Sequence, residues 1–434
     1  MAKDTPISYR NLVIYEIFVR NHSLHGKFTD VETDLPRIRS MGVDVVWFMP
    51  IHPIGKINRK GSLGSPYSIT DYREVNPEYG TKADFKHLID TAHHLGLNVM
   101  IDVVYNHTAH DSILVKHHSD WFHQDSAGHP VTTVPAWADV IDLRYPNPGL
   151  AAYLIDCLKY WAEFGVDGFR CDVAPIVPVD FWIEARREVS RVKPGVIWLA
   201  ESVHADFVAA RRRNDLVAHS DCEVYQAFDM EYDYDIWPVW QAAVVDQLRL
   251  VRYTDMLRFQ DSMYTTEYIK MRCVENHDNP RIMSLAPSQT QALAWTAFQA
   301  FNKGAFLIYG GQESGAKHTP SLFDMDKVEW GDYPLQPFIT RLARMKKEPA
   351  VLTGTFFILD AEPVLQAAWT SETGGLYGIF NTGKNEGEVA VQLQDGAYVN
   401  LLYDQPVTVK DSRLVIPQSA AILRCPPINN LKVL

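Results

Sequence analysis

Eight short apolar runs alternate with amphipathic helical segments, and near residue 348 the pattern changes to brief strands punctuated by turn signals. Together these predict an α/β protein: a (β/α)8 TIM barrel with a loop excursion after the third strand and a C-terminal antiparallel β-sandwich. The runs are VIYEIFVR (13–20), VDVVWFMP (43–50), NVMIDVVYNH (98–107), GFRCDVA (168–174), VIWLAES (196–202), VYQAFD (224–229), MRCVENHD (271–278) and AFLIYGGQE (305–313). Their nearly continuous apolar character is that of strands buried on both faces of a parallel sheet. Strand count alone leaves a doubly wound open sheet as the structural alternative.

The helices between the runs have recognisable ends. In TKADFKHLIDTAHHLG (81–96), Thr81 is placed to cap with Asp84 three residues on. Phe85, Leu88, Ile89, Ala92 and Leu95 make one stripe, and Gly96 suits the position just past the helix. Residues 150–164 repeat this logic with Leu150, Leu154, Cys157, Leu158, Trp161 and Phe164 before Gly165. Residues 106–148 break the rhythm. They are rich in His, Asp, Pro and Trp, carry little helical period, and read as an inserted excursion of the kind that usually serves function. The expected organisation is therefore a barrel of residues 1–105 and 149–348, an inserted domain of 106–148, and a sandwich of 349–434 containing GTFFILDA, VLQAAWT, LYGIFNT, EVAVQLQ, YVNLLYD, SRLVIP and AAILRC.

Composition narrows the partners. The 434 residues are 47% hydrophobic and 22% charged, with a formal net charge of −12. No basic surplus exists to neutralise phosphates, so neither nucleic acid nor an anionic membrane is an expected partner. A neutral substrate suits this charge. No run approaches a membrane span, and the first residues lack the apolar segment of a signal peptide, so the expected location is cytoplasmic. Five scattered cysteines without CxxC spacing read as reduced core thiols. Arg211-Arg212-Arg213 reads as a solvated helix face. The pairs His93-His94 and His117-His118 do not share a helix face and make no metal site. The sequence carries no signal for oligomeric state.

In a barrel of this kind the chemistry sits at the C-terminal strand ends. The third strand ends Asp102-Val-Val-Tyr-Asn106-His107, the fourth Gly168-Phe-Arg170-Cys-Asp172, the fifth Ala200-Glu201-Ser202, the seventh Val274-Glu275-Asn276-His277-Asp278, and the eighth Gly310-Gly311-Gln312-Glu313. An unpartnered polar group costs roughly 2–7 kcal/mol to bury, so packing alone is a poor account of five such ends. Glycosidic cleavage is a better one, since it needs two carboxyl groups flanking an acetal, about 5–5.5 Å apart when configuration is retained. Arg170 and Asp172, two apart, face the same way. The guanidinium is expected to lower the Asp172 pKa and keep that group ionised. Glu201, near other carboxylates, is expected to be raised and to hold its proton. Asp278 adds a third carboxylate, and His107 and His277 are placed to donate to hydroxyls of one sugar ring. Glu313 reads as support for the last strand. Trp121 and Trp137, in the excursion, suit either sugar stacking or packing.

These segments resemble glycoside hydrolase family 13, the α-amylase family: DVVYNH (102–107), GFRCDVA (168–174), AES (200–202) and NHD (276–278) look like its first to fourth motifs, in order, and the likeness spans residues 10–430. The resemblance implies Asp172 as nucleophile, Glu201 as acid/base and Asp278 as transition-state stabiliser. It also implies Arg170, His107 and His277 as contacts to the sugar being cleaved, Asp102 as a supporting residue, and Tyr67, in SPYSITDY (65–72), as an aromatic platform beneath that sugar. The implied activity is retaining cleavage of α-1,4 links in maltooligosaccharides or starch-like glucans. An α-glucosidase or glucanotransferase of the same family is the runner-up, and a non-catalytic sugar-binding relative the remote alternative. Two departures stand out. Val173-Ala174-Pro175 follows the nucleophile where many α-amylases have a Lys-His pair, which weakens the expectation of endo-action on long starch. Asn106 matches a frequent Ca2+ ligand, but Arg144 stands where a further acidic ligand is common. No cofactor is therefore expected to be required, and Ca2+ rests on Asn106 alone.

Overall fold

The computed structural model describes residues 1–428 and 431–432. Eight parallel strands close a barrel: β1 (Val13–Ile17), β2 (Val45–Phe48), β3 (Asn98–Val103), β4 (Gly168–Cys171), β5 (Ile197–Ala200), β6 (Met230–Tyr232), β7 (Lys270–Arg272) and β8 (Ala305–Tyr309). Each pairs with its sequence neighbour, and β1 closes on β8. All but the first residue of β3 are buried, as the unbroken apolar runs require.

The sixth strand departs from expectation. VYQAFD (224–229) is not a strand: Asp221–Val224 is a helical turn, and the strand begins at Met230. That stretch reads as polar because Glu231 and Asp233 lie in or beside it. The fold buries both against Lys270 and Arg272 of the adjoining β7, at 3.6 and 2.6 Å. A charge neutralised from the next strand leaves no trace in a local hydropathy pattern.

Two helices begin where the sequence places a side-chain cap. Lys82–His94 starts from Thr81, whose side chain accepts from the Asp84 N–H in a reciprocal capping box worth about 1 kcal/mol. Gly96, at φ +73°, turns the chain into β3. Pro148–Phe164 is capped by Asn147, which accepts from Leu150 N at 3.1 Å.

Between β3 and the Pro148–Phe164 helix the excursion contains an antiparallel ribbon of His107–Ala109 and Val140–Asp142. It is held to the barrel by a relay: Thr133 gives Asp142 its backbone N–H (2.7 Å) and hydroxyl (2.5 Å), and the Arg211 guanidinium donates to the Thr133 oxygen at 3.1 Å. Arg211 is thus 7% exposed, and the expectation of a solvated Arg211–Arg213 face fails at this residue. Its helix, Ala205–Arg213, packs against the excursion, so a charged residue there has a partner distant in sequence.

The C-terminal strands form a six-stranded antiparallel sheet and a two-stranded one, facing each other across Val364, Tyr377, Ile379, Val389, Leu414 and Leu423. Gln405–Val409 at the sheet edge was not anticipated. It carries Pro406 and exposed polar residues, as edge strands do, and lacks an apolar alternation. Trp369 docks the sandwich on the barrel by donating to Phe301 O at 2.7 Å. The cysteines are unpaired; four are buried, but Cys222 is exposed, against the expectation of core thiols throughout. Among the described residues no helix is long and apolar enough to cross a membrane.

Candidate active site

Parallel register sets up the site. In β3 and β4, Asp102 and Arg170 are direct partners, as are Cys171 and Ala200 in β4 and β5. The residues one step beyond the latter pair, Asp172 and Glu201, therefore leave the barrel rim side by side. Arg170, fully buried, is the hub. Its Nη1 donates to Asp102 at 2.9 and 3.1 Å and to Asp172 Oδ1 at 2.9 Å, and its Nε donates to the Tyr232 hydroxyl at 3.1 Å. Its Nη2 lies 3.0 Å from Glu201 Oε1, a charge contact without hydrogen-bond alignment. The rings of Trp47, Tyr67 and Tyr232 surround the guanidinium.

Val173 follows Asp172 at φ +37°, ψ +44°, a region a β-branched residue rarely enters. The strain, of order 1–3 kcal/mol, turns its N–H onto Glu201 Oε2 at 2.7 Å. Glu201 is thereby fixed from two sides, by a cation and by a backbone donor.

Asp172, Glu201 and Asp278 line a cavity of about 220 Å3 together with Tyr67, His107 and His277. Asp102 and Arg170 lie beneath its floor. Trp137 reaches the cavity and packs on His107, whereas Trp121 is buried against His118 and Tyr153, a packing role. Glu313 receives Tyr15, Arg37 and the Gly311 N–H below the rim and supports β8. Sequence reasoning missed Glu16, Lys60, Asp139, Leu322 and Phe323. Only Glu16, a lone carboxylate inside an apolar strand, left a signal.

Burial is the largest influence on both central carboxyls. It pushes Asp172 up to about 7, with Arg170 pulling down and Asp102 and Asp278 pushing up. The same forces push Glu201 further, to about 8, with Asp172 and Asp278 adding to burial. Arg170 pulls Asp172 down as expected, but the expectation of a net depression is corrected: desolvation outweighs the guanidinium, which is shared among three carboxylates. Asp102 is raised to about 6, again by burial first.

The histidines differ. Burial lowers His107 to about 4, so it is neutral; the Asn106 amide lies 3.2 Å from its Nδ1, an arrangement that places the ring proton on Nε2, 3.9 Å from Asp172. His277 is also buried, but Asp278 and Glu16 outweigh desolvation and raise it to about 9. It is an imidazolium, with Nδ1 2.5 Å from Glu16 Oε1 and Nε2 2.7 Å from the Tyr67 hydroxyl, which in turn donates to Asp102 at 3.1 Å.

A calcium site at Asn106 fits poorly. The neighbouring Asp142 carboxylate is already occupied by Thr132 and Thr133, Arg144 is exposed, and the Asn106 amide is committed to His107. Among the described residues no three His, Cys, Asp or Glu side chains gather as a metal site, the two His-His pairs included.

A closed barrel carrying paired carboxyls and an aromatic ring at its C-terminal rim defines a carbohydrate-active barrel enzyme, a glycoside hydrolase in class. The sequence matches the family model of the α-amylase catalytic domain over residues 16–135 and 118–348, and that of the bacterial α-amylase C-terminal domain over 358–423. The chain belongs to the α-amylase family, glycoside hydrolase family 13. An α-amylase from Lactobacillus plantarum has a similar structure, with TM-score 0.93 and 42% identity over 96% of this chain and 100% of that one. A noncanonic maltogenic α-amylase from Thermotoga neapolitana superposes with TM-score 0.85 at 35% identity, over 96% and 99% of the two chains. Among curated relatives, an α-1,4-glucan:maltose-1-phosphate maltosyltransferase from Mycolicibacterium smegmatis is 26% identical over 81% of this chain, which spans 54% of that protein. The chain thus covers from about a third to about half of the length of the curated maltosyltransferases it matches.

Proposed function

We propose that the protein is a retaining α-glycoside hydrolase that cleaves α-1,4-glucosidic bonds in maltooligosaccharides or starch-like glucans. The observation that carries this reading is the shared cation: Arg170 reaches Asp172 at 2.9 Å and Glu201 at 3.0 Å, and the Val173 N–H fixes Glu201 in place beside it. One guanidinium reaching both at 2.9 and 3.0 Å supports the close spacing of a retaining pair over the roughly 6.5–9.5 Å of an inverting one.

Asp172 attacks the anomeric carbon while Glu201 gives its proton to the departing glycosidic oxygen. Positive charge builds on the ring, beside Asp278 and over the Tyr67 face. Glu201, now a carboxylate, takes a proton from water, whose oxygen attacks the same carbon and releases Asp172. His107 donates from Nε2 to a hydroxyl of the bound sugar, and the His277 imidazolium, held between Glu16 and the Tyr67 hydroxyl, fixes the Tyr67 ring beneath that sugar.

The test is product analysis on maltoheptaose, starch, pullulan and cyclodextrin, with Asp172→Asn alongside. The α-anomer should form first, and Asp172→Asn should lose several orders of magnitude in turnover with its fold intact. First release of the β-anomer, or an active Asp172→Asn, would overturn the reading. A glucanotransferase is the second reading, favoured by the maltosyltransferase relatives; it predicts that added maltose diverts most of the product to longer chains.

A further inference from the structure

Of the three carboxyls that line the cavity, Asp278 is the one with no hydrogen bond at its own oxygens. Asp172 takes one from Arg170 and Glu201 one from the Val173 N–H. Among the described residues the Asp278 carboxylate has only the His277 imidazolium beside it, at 3.2 Å and without hydrogen-bond alignment. It is also the exposed one of the three. Where this carboxylate stands is therefore set by its backbone. The Asp278 N–H donates to Asn276 Oδ1 at 3.0 Å, inside the turn Asn276–Asn279 that follows β7.

One phenol anchors that turn. Tyr234, buried two residues past the end of β6, accepts from Asn276 Nδ2 at 2.8 Å and from Asn279 Nδ2 at 3.0 Å. Asn279 Nδ2 also donates to Asn276 Oδ1 at 2.9 Å, and Asn279 Oδ1 accepts from Trp237 Nε1 at 2.9 Å. Two amides and a phenol thus close a triangle, and the Asp278 N–H is tied to one corner of it. The Tyr234 ring is itself held: His204 stacks on it at 5.4 Å and donates from Nδ1 to the Tyr234 carbonyl at 3.1 Å, while Tyr232 and Trp237 meet it at 5.0 and 5.6 Å. Burial first, then the charges of Asp278 and Glu201, raise the phenol well above its usual range, so it stays a neutral acceptor. Asn276 is fully buried, and Tyr234 is the acceptor for its Nδ2. By taking that nitrogen, the phenol decides which end of the amide faces the Asp278 N–H.

We propose that Tyr234 is a positioning residue for Asp278: its hydroxyl orients the Asn276 and Asn279 amides, and these fix the turn that aims the carboxylate at the sugar. It acts from behind the cavity wall, which it does not line. A reacting group misplaced by about 1 Å loses on the order of 100-fold in rate, so a support of this kind is felt in catalysis. This inference rests on the hydrolase reading above.

The experiment is a double-mutant cycle of Tyr234→Phe and Asp278→Asn, read by steady-state kinetics on p-nitrophenyl α-maltotrioside. Tyr234→Phe should lose roughly 10- to 100-fold in kcat with KM nearly unchanged, since Asp278 meets charge that develops only in the transition state. In the Asp278→Asn background the same change should cost less than about threefold, because the carboxylate it aims is already gone, whereas a residue that only supports the fold would repeat its full loss there. Additive losses, a loss confined to KM, or an unchanged kcat in a folded Tyr234→Phe would overturn the positioning role while leaving the hydrolase reading intact. Should Tyr234→Phe not fold, Asn279→Ala removes another corner of the triangle, at a half-buried position, and is read in the same cycle. A wild type inactive on this substrate and on every glucan would remove the hydrolase reading, and the role of Tyr234 with it.

Discussion

Replacing Glu201 by glutamine tests role and environment at once. The side chain keeps its shape but has no proton to give, and general acid catalysis contributes roughly 100- to 10,000-fold. kcat/KM on maltoheptaose should fall by that factor. An aryl maltoside with a good leaving group needs no proton in the first step, so its burst of released phenol should persist. Stability should move the other way. Buried Glu201 holds its proton up to about 8, whereas an unfolded glutamate releases it near 4.5. Between those values the native state binds more protons than the unfolded one, so this group's contribution to stability is present below pH 4.5 and is lost as pH rises to 8. At 1.36 kcal/mol per pH unit the ceiling is about 5 kcal/mol, and sharing Arg170 reduces it to a few. Glutamine carries no such dependence. With an unfolding entropy of about 2.1 cal/mol/K per residue, a chain of this length gains about 1 °C per kcal/mol. Glu201→Gln should therefore melt a few degrees above wild type at pH 9 and show little difference at pH 4.5. A variant that retains turnover, loses the aryl burst, or gains no stability with rising pH would refute the assignment.

Three further outcomes follow from the geometry. Glu16→Gln removes one of the two groups that hold His277 protonated; weakening the charged hydrogen bond from His277 to the Tyr67 platform by about 1.5–3 kcal/mol should lower kcat/KM roughly 10- to 100-fold, and the His277 titration followed by NMR should fall below about 9, whereas a purely structural Glu16 would leave that titration in place. Arg211→Met breaks the relay through Thr133 to Asp142 and should cost about 1–3 kcal/mol, lowering the melting temperature by a comparable number of degrees in calorimetry; no change would show that the excursion is held by its apolar contacts alone. With Asp142 already satisfied by threonine donors, a chelator should leave the melting temperature unchanged, whereas calcium bound at 100 times its Kd would add about 2.7 kcal/mol, a shift of several degrees.

What the sequence determined is what depends on neighbours along the chain. The apolar runs placed seven of eight barrel strands. The Thr81 box and Gly96 bounded a helix, and the i, i+2 spacing of Arg170 and Asp172 put their charged ends 2.9 Å apart. The polar strand ends pointed to the residues that line or underlie the cavity. The tertiary structure decided whatever depends on a partner across the fold. Met230–Tyr232 is a strand because Lys270 and Arg272 lie beside its acidic residues, Arg211 is buried because Thr133 accepts from it, and Lys60 reaches the cavity paired because Asp139 arrives from another segment. The Asp172 carboxyl is raised although an arginine sits two residues away. A charge next to it in sequence is visible from the chain, but the loss of water around it is a property of every atom the fold packs there, and at this site the second effect is the larger.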